Sequence, residues 1–219
     1  MRPRLLVLVT GTDTGVGKTW VSAEMLRRMS GEGWSVSARL PAQTYLRDDV
    51  ATDADVLAEA TGETASEVCP PTRWYGVPMA PPMAAEVLGL PPIMLADLER
   101  EVGSGWPLSP VDVGLIGSSG GVASPLASNG DMAELARNLG ADLAVVVSRA
   151  DVEAINSLRL CHEVLSPLPV IVYLNRFDKE DELHLRVYEW LTKHDEFVVT
   201  TEMQVLVDLM VGRLAAGVR

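Results

Sequence analysis

Residues 11–19, GTDTGVGKT, form a glycine-rich segment that ends in Lys18 and Thr19. The apolar run LLVLV (5–9) comes directly before it, and the periodic stretch WVSAEMLRRM (20–29) follows it. This order predicts a buried strand, a tight loop and a helix. In such a loop the successive backbone N–H groups and the positive end of the helix form a cradle that favours phosphate groups.

The segment departs from the strict phosphate-loop pattern G-x-x-x-x-G-K-[ST]. Thr12 stands where the first glycine of that pattern belongs, and Gly11 lies one residue earlier. The end of the pattern keeps its chemistry, because Lys18 would reach the terminal phosphates and the Thr19 hydroxyl would coordinate Mg²⁺. We therefore predict a nucleotide-binding loop of a variant type. The alternative, a chance glycine-rich turn, is disfavoured by the strand, loop and helix context.

Short apolar runs alternate with helical stretches along the rest of the chain, which predicts a mostly parallel sheet with helices on both faces. The candidate strands are residues 5–10, 35–40, 111–117, 143–148, 169–175 and 196–200. The candidate helices are residues 19–29, 53–61, 131–139, 152–165, 179–193 and 202–216, and the proline-rich segment 70–92 is expected to be irregular. We predict one α/β domain over residues 1–219, with a three-layer architecture like that of P-loop NTPases and ligands at the carboxyl ends of the strands.

Composition limits the partners of the chain. The sequence has 30 acidic and 18 basic residues, a net charge of −12 at pH 7, which disfavours nucleic acid and anionic membranes as partners. The apolar run near the N-terminus is too short for a secretion signal or a membrane span. Cys69 and Cys161 have no motif spacing, so no disulfide framework is expected. These features predict a cytoplasmic protein.

Two other patterns leave alternatives open. GSSGG (117–121) matches G-x-S-x-G, which would make Ser119 a hydrolase nucleophile with a histidine as base, although that arrangement needs a helix directly after it. NRFD (175–178) is close to the N-K-x-D motif of GTP-binding proteins, whose aspartate accepts hydrogen bonds from guanine. Asp178 therefore keeps GTP open beside ATP, unless it only caps the following helix.

The remaining polar and aromatic candidates give weaker signals. His162, His184 and His194 lack the mutual spacing of metal ligands, so we do not expect a metal site built from them. Trp74 and Tyr75 lie in the proline-rich segment, where they could line a substrate pocket.

The glycine-rich segment resembles the loop G-T-D-T-x-V-G-K-T of the dethiobiotin synthetases, which are ATP-dependent enzymes of biotin biosynthesis. It matches at every specified position, including the missing first glycine. Further similar segments follow in the family's order along nearly the whole chain. They are LPAQTY (40–45) for K-P-V-Q-T-G, VPMAPPMAAE (77–86) for P-x-A-P-x-x-A-A, SSGGVASPL (118–126) for G-A-G-G-L-x-V-P-L, and DVEAINSLRL (151–160) for G-x-I-N-H-x-L-L.

The resemblance implies a definite reaction. Enzymes of this family let one amine of 7,8-diaminononanoate capture CO₂ as a carbamate, phosphorylate that carbamate with ATP, and close a cyclic urea when the second amine displaces phosphate. The resemblance also implies a requirement for Mg²⁺ and a homodimer. Positive charge from a lysine and Mg²⁺ is what the site needs to hold a carbamate beside a triphosphate.

Carried over position by position, the resemblance also implies the site residues. Lys18 and Thr14 would be catalytic. Thr19 and Asp53 would hold Mg²⁺, with Asp55 as the competing position. The nucleotide-binding residues would be Asp13, Thr14, Gly15, Val16, Gly17, Lys18, Thr19 and Asn175, the last standing where the family has an asparagine that contacts the base. The substrate-binding residues would be Gln43, Thr44, Ser118, Gly120 and Gly121.

Three positions depart from the family pattern. Leu40 replaces the lysine of K-P-V-Q-T-G, Gly117 replaces the glutamate before G-A-G-G, and Ser157 replaces the histidine of I-N-H. Arg39 cannot simply replace that lysine unless the strand has already ended, because neighbouring strand residues point to opposite faces. The aspartates at residues 48–49 are candidates to restore the lost carboxylate.

The missing charges leave the function open between two classes. One preorganised charged group is commonly worth about 10²–10³ in rate, so losing two of them argues against unaltered chemistry. The chain is either a nucleotide-dependent ligase of this family's type or a divergent relative that binds nucleotide and has lost or changed the catalysis. New chemistry at the SSGG segment is a third possibility.

Overall fold

The computed structural model describes residues 1–46 and 50–217. The strands of these residues, in chain order, are β1 (Leu5–Gly11), β2 (Val36–Arg39), β3 (Gln43–Thr44), β4 (Trp74–Tyr75), β5 (Val113–Gly117), β6 (Pro125–Ala127), β7 (Gly130–Asp131), β8 (Leu143–Ser148), β9 (Val170–Leu174) and β10 (Val198–Thr200). The α-helices are α1 (Lys18–Gly31), α2 (Asp53–Thr61), α3 (Ala65–Val68), α4 (Pro81–Val87), α5 (Leu95–Gly105), α6 (Met132–Asn138), α7 (Ala154–Leu165), α8 (Glu182–His194) and α9 (Met203–Ala215).

Six of the strands form one sheet in the order β10-β9-β8-β1-β5-β2, and every pairing in it is parallel. Strand β1 lies in the centre, where Val7 is opposite Leu115 on one side and Leu143 on the other. The six predicted strands are the six strands of this sheet. Their apolar runs are continuous because both faces of the sheet are covered.

Helices pack on both faces of the sheet, which gives the predicted three layers. Alternate residues of β1 point to opposite sides, so Leu5, Val7 and Val9 pack with α1, α2 and α9, whereas Leu6 and Leu8 pack with α4 to α8. Because all strands run in the same direction, their carboxyl ends lie at one edge of the sheet. The loops after β1, β5 and β9 therefore meet at that edge.

The proline-rich segment 70–92 is more regular than predicted. It contains α4, whose first two residues, Pro81 and Pro82, are tolerated because the first turn of a helix needs no intrahelical N–H donors. Helix α5 was not predicted either, although Leu95, Leu98 and Val102 bury one face of it against the sheet layer. The prediction failed here because prolines and short apolar clusters outweighed a helical period spread over only three turns.

Neither cysteine forms a disulfide in the described structure, and both thiols are buried. Burial raises the pKa of Cys69 to about 12 and that of Cys161 to about 11. Among the described residues, no helix combines the length and the apolar character that crossing a bilayer requires.

Candidate functional site

The glycine-rich loop connects the end of β1 to the start of α1 and is anchored from β9. Gly17 precedes α1 with a φ of 98°, a left-handed conformation that favours glycine. A Cβ at this position would also collide with Nδ2 of Asn175. That same Nδ2 donates a hydrogen bond to the carbonyl oxygen of Val16 at 2.8 Å. The loop is therefore held in one shape by a side chain two strands away.

Lys18 is the first residue of α1, and its side chain turns back over the loop. Its Nζ donates to the backbone oxygen of Asp13 at 2.9 Å, and only 7% of the residue is exposed. Burial lowers the pKa of Lys18 below its ordinary value, while the negative charges of Asp53 and Asp13 partly oppose that shift. The ammonium group is thus placed at the mouth of the cradle with a single backbone acceptor.

A hydroxyl and a carboxylate meet beside this lysine. Oγ1 of Thr19 donates to Oδ1 of Asp53 at 2.7 Å, which joins the first turns of α1 and α2. Asp55 does not compete for this place, because it forms a capping box with Thr52 at the start of α2. The sequence left the choice between the two aspartates open, and the geometry favours Asp53.

The donor set of Thr19 and Asp53 fits Mg²⁺, which prefers oxygen ligands and usually keeps waters or phosphate oxygens in its shell. In residues 1–46 and 50–217, no group of three or more histidine, cysteine, aspartate or glutamate side chains could hold a metal ion. A magnesium ion here would therefore need waters or phosphate oxygens to complete its coordination. The aspartates at residues 48–49 lie outside the described residues.

A cavity of about 620 Å³ opens over the loop at the carboxyl edge of the sheet. Its walls come from residues 78–81, from residues 118–121 after β5 and from residues 124–126. The volume exceeds the lower limit of typical small-molecule sites by about a factor of two. Charged groups lie at the loop and prolines and methionines opposite them, so the cavity combines a phosphate cradle with an apolar wall.

Most of the site residues inferred from the sequence line this cavity. These are Thr14, Gly15, Gly17, Lys18, Thr19, Thr44, Asp53, Ser118, Gly120 and Gly121. Four others do not line it: Val16, Gln43 and Asn175 are buried, and Asp13 is exposed. They make contacts within the protein: for example, Oδ1 of Asp13 accepts a hydrogen bond from the N–H of Thr14 at 2.6 Å.

Gln43 is the clearest case of a residue that lies behind the site. It is 1% exposed, and its Oε1 accepts a hydrogen bond from the N–H of Ala54 at 3.0 Å. The contact holds the first turn of α2, on which Asp53 lies. Its Nε2 has no hydrogen-bond partner in the described structure. Direct contact between Gln43 and a substrate stays a prediction.

Comparison with known proteins gives a consistent result along the chain. A family model described as an AAA domain matches residues 6–167. The ATP-dependent dethiobiotin synthetase BioD of Aquifex aeolicus is 32% identical over 181 residues, covering 80% of this chain and 78% of the relative. The enzyme of the same name from Anaeromyxobacter dehalogenans is 34% identical over 182 residues, with the same coverage. This chain belongs to the dethiobiotin synthetase family.

Solved structures confirm the predicted fold class. The signal recognition particle receptor FtsY of Elizabethkingia anophelis superposes with a TM-score of 0.55 at 13% identity, covering 98% of this chain and 66% of the receptor, just under two thirds of its length. A plasmid partition protein from Borrelia burgdorferi gives a TM-score of 0.51 at 14% identity and covers 98% of both chains. At these identities the likeness concerns the fold alone.

The two charges that this chain lacks relative to the dethiobiotin synthetase pattern are replaced by one apolar contact. Leu40 is 4% exposed, and its Cδ2 would lie 2.6 Å from a Cβ placed on Gly117. The leucine therefore occupies the space into which a side chain at residue 117 would project. Two positions at which the family pattern has a lysine and a glutamate are therefore an apolar pair in contact here.

Arg39 does not restore the missing cation, although β2 ends at this residue. It is 4% exposed and forms an ion pair with Glu63, with 2.7 Å between Nη1 and Oε1. Its Nε donates to the backbone oxygen of Gly105, and its guanidinium lies 5.0 Å from the ring centroid of Trp106. These partners hold the side chain outside the cavity, which Arg39 does not line.

The hydrolase alternative finds no support in the geometry. A nucleophile elbow needs a helix after the serine, but the chain after Ser119 turns into β6. None of the three histidines lines the cavity. Oγ of Ser118, the neighbouring serine, is 3.1 Å from Oγ1 of Thr10 and donates to the oxygen of Gly120 at 2.7 Å, so it holds the loop against β1.

Two smaller interpretations need correction. Asp178 does not cap the helix that follows it, because α8 begins at Glu182 and Asp181 is the capping residue. Oδ1 of Asp178 instead accepts from the N–H of Glu180 at 2.9 Å. Trp74 and Tyr75 do not line the cavity: Trp74 donates from Nε1 to a backbone oxygen at 2.8 Å, and Tyr75 is 2% exposed.

Several lining residues were not assigned to the site from the sequence, among them Trp20, Met79, Met132 and Arg176. Trp20 follows the loop directly and is 54% exposed, so the period of α1 alone indicated that it points away from the core. The other three come from distant segments. No local pattern distinguishes a methionine in a cavity wall from one in the core.

The pH dependence of nucleotide affinity tests the environment of Lys18. We expect the affinity for ATP to fall as pH rises, at pH values below the ordinary lysine pKa, because burial lowers the pKa and only the ammonium form attracts phosphate. Calorimetric titration with ATP between about pH 7 and pH 10 measures this decline. The Lys18→Arg variant stays charged over this range and serves as the control. A wild-type profile as flat as that of the variant would contradict the expectation.

Proposed function

We propose that this protein is a nucleotide-dependent ligase that forms a cyclic urea from a diamine, 7,8-diaminononanoate, and CO₂ through a phosphorylated carbamate. The observation that carries the proposal is the grouping of Lys18, Thr19 and Asp53 at the polar end of a cavity of about 620 Å³. The polar end suits a triphosphate, and the remaining volume leaves room for a second, partly apolar substrate. Membership of the dethiobiotin synthetase family supports the same reading.

The residues of the site divide into three tasks under this proposal. Lys18 and the amides of the loop bind the phosphates and stabilise the charge that develops on the transferred group. The oxygens of Thr19 and Asp53 hold Mg²⁺, which supplies charge neutralisation when it is bound. Thr14 and Thr44, together with residues 118–121, orient the carbamate and the second amine, so that ring closure becomes an intramolecular displacement of phosphate.

A second candidate function is nucleotide binding with lost or changed catalysis. The contact between Leu40 and Gly117 favours it, since the apolar pair leaves the cavity without the cation and the carboxylate of the family pattern. The glycine-rich loop, by contrast, keeps the lysine and the threonine of the family pattern, Lys18 and Thr19. The two candidates therefore predict the same nucleotide binding and differ in turnover.

ATP is the nucleotide that we propose, in preference to GTP. The carboxylate of Asp178 already accepts a backbone hydrogen bond from Glu180, and Asp178 does not line the cavity. Both features argue against a role in guanine recognition. The homodimer implied by the resemblance and the cytoplasmic location indicated by the sequence features stay predictions.

The deciding experiment measures phosphate release with Mg²⁺ and bicarbonate, with and without 7,8-diaminononanoate, using ATP and GTP in parallel. We expect ATP-dependent phosphate release that requires the diamine, and a product whose mass equals that of the cyclic urea. Omission of bicarbonate is the control, because no carbamate forms without CO₂. Nucleotide binding without diamine-dependent release would contradict the ligase proposal and support the second candidate.

A further inference from the structure

Arg176 leaves strand β9 in an unusual backbone conformation. Its φ is 56°, and it is the one non-glycine residue with a positive φ in residues 1–46 and 50–217. An arginine is strained in this left-handed region, where glycine or asparagine fits at lower cost. Strain of this kind concentrates at ligand sites, so the outlier is a reason to ask what the side chain does.

The strained position is also a rigid one, because the preceding residue is tied down twice. The backbone N–H of Asn175 donates to the oxygen of Ser148 at 2.8 Å, and its side-chain amide donates to the oxygen of Val16 at 2.8 Å. These bonds join the end of β9 to β8 and to the phosphate loop. Arg176 is therefore held beside the loop, and it lines the same cavity as Lys18.

The guanidinium of Arg176 has no hydrogen bond or ion pair with any other residue that the structure describes. Two other arginines at strand ends differ from it in this respect. Arg149, after β8, donates to the oxygen of Gly15 at 3.2 Å, and Arg39, at the end of β2, is paired with Glu63. A guanidinium carries five donors, so Arg176 brings an unused set of donors to the cavity.

The unused donors of Arg176 matter because the cavity has few other charged groups. Among the described lining residues, the cations are Lys18 and Arg176 and the one carboxylate is Asp53. Leu40 adds no cation where the family pattern has a lysine. A nucleoside triphosphate carries several negative charges, and Arg176 supplies half of the cationic groups that the described lining offers them.

We propose that Arg176 is a nucleotide-binding residue whose guanidinium contacts a phosphate group of the bound nucleoside triphosphate. The inference rests on the proposed function, since it takes the cavity to be the nucleotide site. The strained backbone fixes the Arg176 cation beside the glycine-rich loop. Strand β9, which it follows, lies on the other side of β1 from β2. Arg176, which follows β9, thereby supplies positive charge to the cavity. Leu40, which follows β2, supplies none where the family pattern has a lysine.

Calorimetric titrations of three ligands test this assignment: ATP, inorganic tripolyphosphate and adenosine. We expect Arg176→Gly to weaken the binding of ATP and tripolyphosphate by about tenfold or more, since a charge-assisted hydrogen bond is lost, and to leave adenosine unaffected. The melting temperature of the ligand-free variant should equal or exceed that of the wild type, because glycine relieves the left-handed strain. Arg176→Lys keeps the charge and should lose less affinity.

Arg186→Gln is the matched control, because Arg186 is an exposed arginine of α8 that pairs with Glu182 and Glu189 and does not line the cavity. Unchanged ATP affinity in Arg176→Gly would overturn the assignment. An equal loss for adenosine would overturn it too, by indicating contact with the base. Failure of the wild type to bind either ATP or tripolyphosphate would instead refute the proposed function, and the inference with it.

Discussion

Replacing Lys18 by alanine is expected to lower the kcat of diamine-dependent ATP hydrolysis by about 10²–10³-fold. The lysine is the first residue of α1 and is 7% exposed beside the Thr19–Asp53 pair, so its removal takes a buried cation from the phosphate end of the cavity. Removing a buried ammonium also relieves a desolvation cost, and the variant should fold. Steady-state phosphate release and the melting temperature are the two measurements.

Lys193→Ala provides the control for this substitution. Lys193 lies in the last turn of α8, is exposed and does not line the cavity, so its removal changes the net charge equally and should leave turnover unaltered. Survival of nucleotide-dependent turnover in Lys18→Ala would mean that the lysine takes no part in phosphoryl transfer. The proposed ligase mechanism would then be wrong.

Restoring the family's two charges together, by Leu40→Lys and Gly117→Glu, is expected to raise diamine-dependent turnover above that of the wild type by about 10²–10³-fold. Each single change should destabilise the protein by about 3–5 kcal/mol, since it buries one charge without a partner. In Gly117→Glu, moreover, the new Cβ would lie 2.6 Å from Cδ2 of Leu40. The double variant should regain part of that stability. The unbranched lysine removes the leucine methyl group that collides with the new Cβ, and its ammonium pairs with the glutamate.

A double-mutant cycle on melting temperature and turnover measures this coupling. We expect an interaction free energy of about 0.5–3 kcal/mol between residues 40 and 117, the range typical of residues in contact. Leu40→Met and Gly117→Ala are the uncharged controls, which separate the effect of shape from that of charge. Strictly additive effects of the two charged substitutions would show that the positions are independent, contrary to the packing of Leu40 against Gly117.

Much of the fold could be read from local sequence. The six predicted apolar runs are the six strands of the main sheet. Six helices, α1, α2, α6, α7, α8 and α9, were predicted to within a few residues of their ends. This worked because a parallel sheet covered on both faces demands continuous apolar strands. Helices α3, α4 and α5 were not predicted, because α3 is only four residues long and prolines or a short apolar period obscured the other two. In the site, the glycine-rich loop could be predicted from the sequence, because a phosphate-binding loop needs a backbone geometry that few residue types permit.

The partners of each site residue were decided by the tertiary structure. The sequence could name Asp53 and Asp55 as alternatives, but the approach of α1 to α2 brought Asp53 to Thr19 and left Asp55 to cap its own helix. Likewise, Leu40 and Gly117 are 77 residues apart, as their numbers in the sequence show, and they meet because β2 and β5 are neighbours in the sheet.

The sequence by itself therefore determined the layer architecture and the phosphate cradle, both of which follow from short-range periodicity and backbone conformation. Only the tertiary structure decided the lining of the cavity, including Arg176, and the apolar replacement of the missing charges. The physical reason is the order of the strands. Crossover connections place segments that are distant along the chain at one edge of the sheet, and side-chain contacts made there leave no mark in any local pattern.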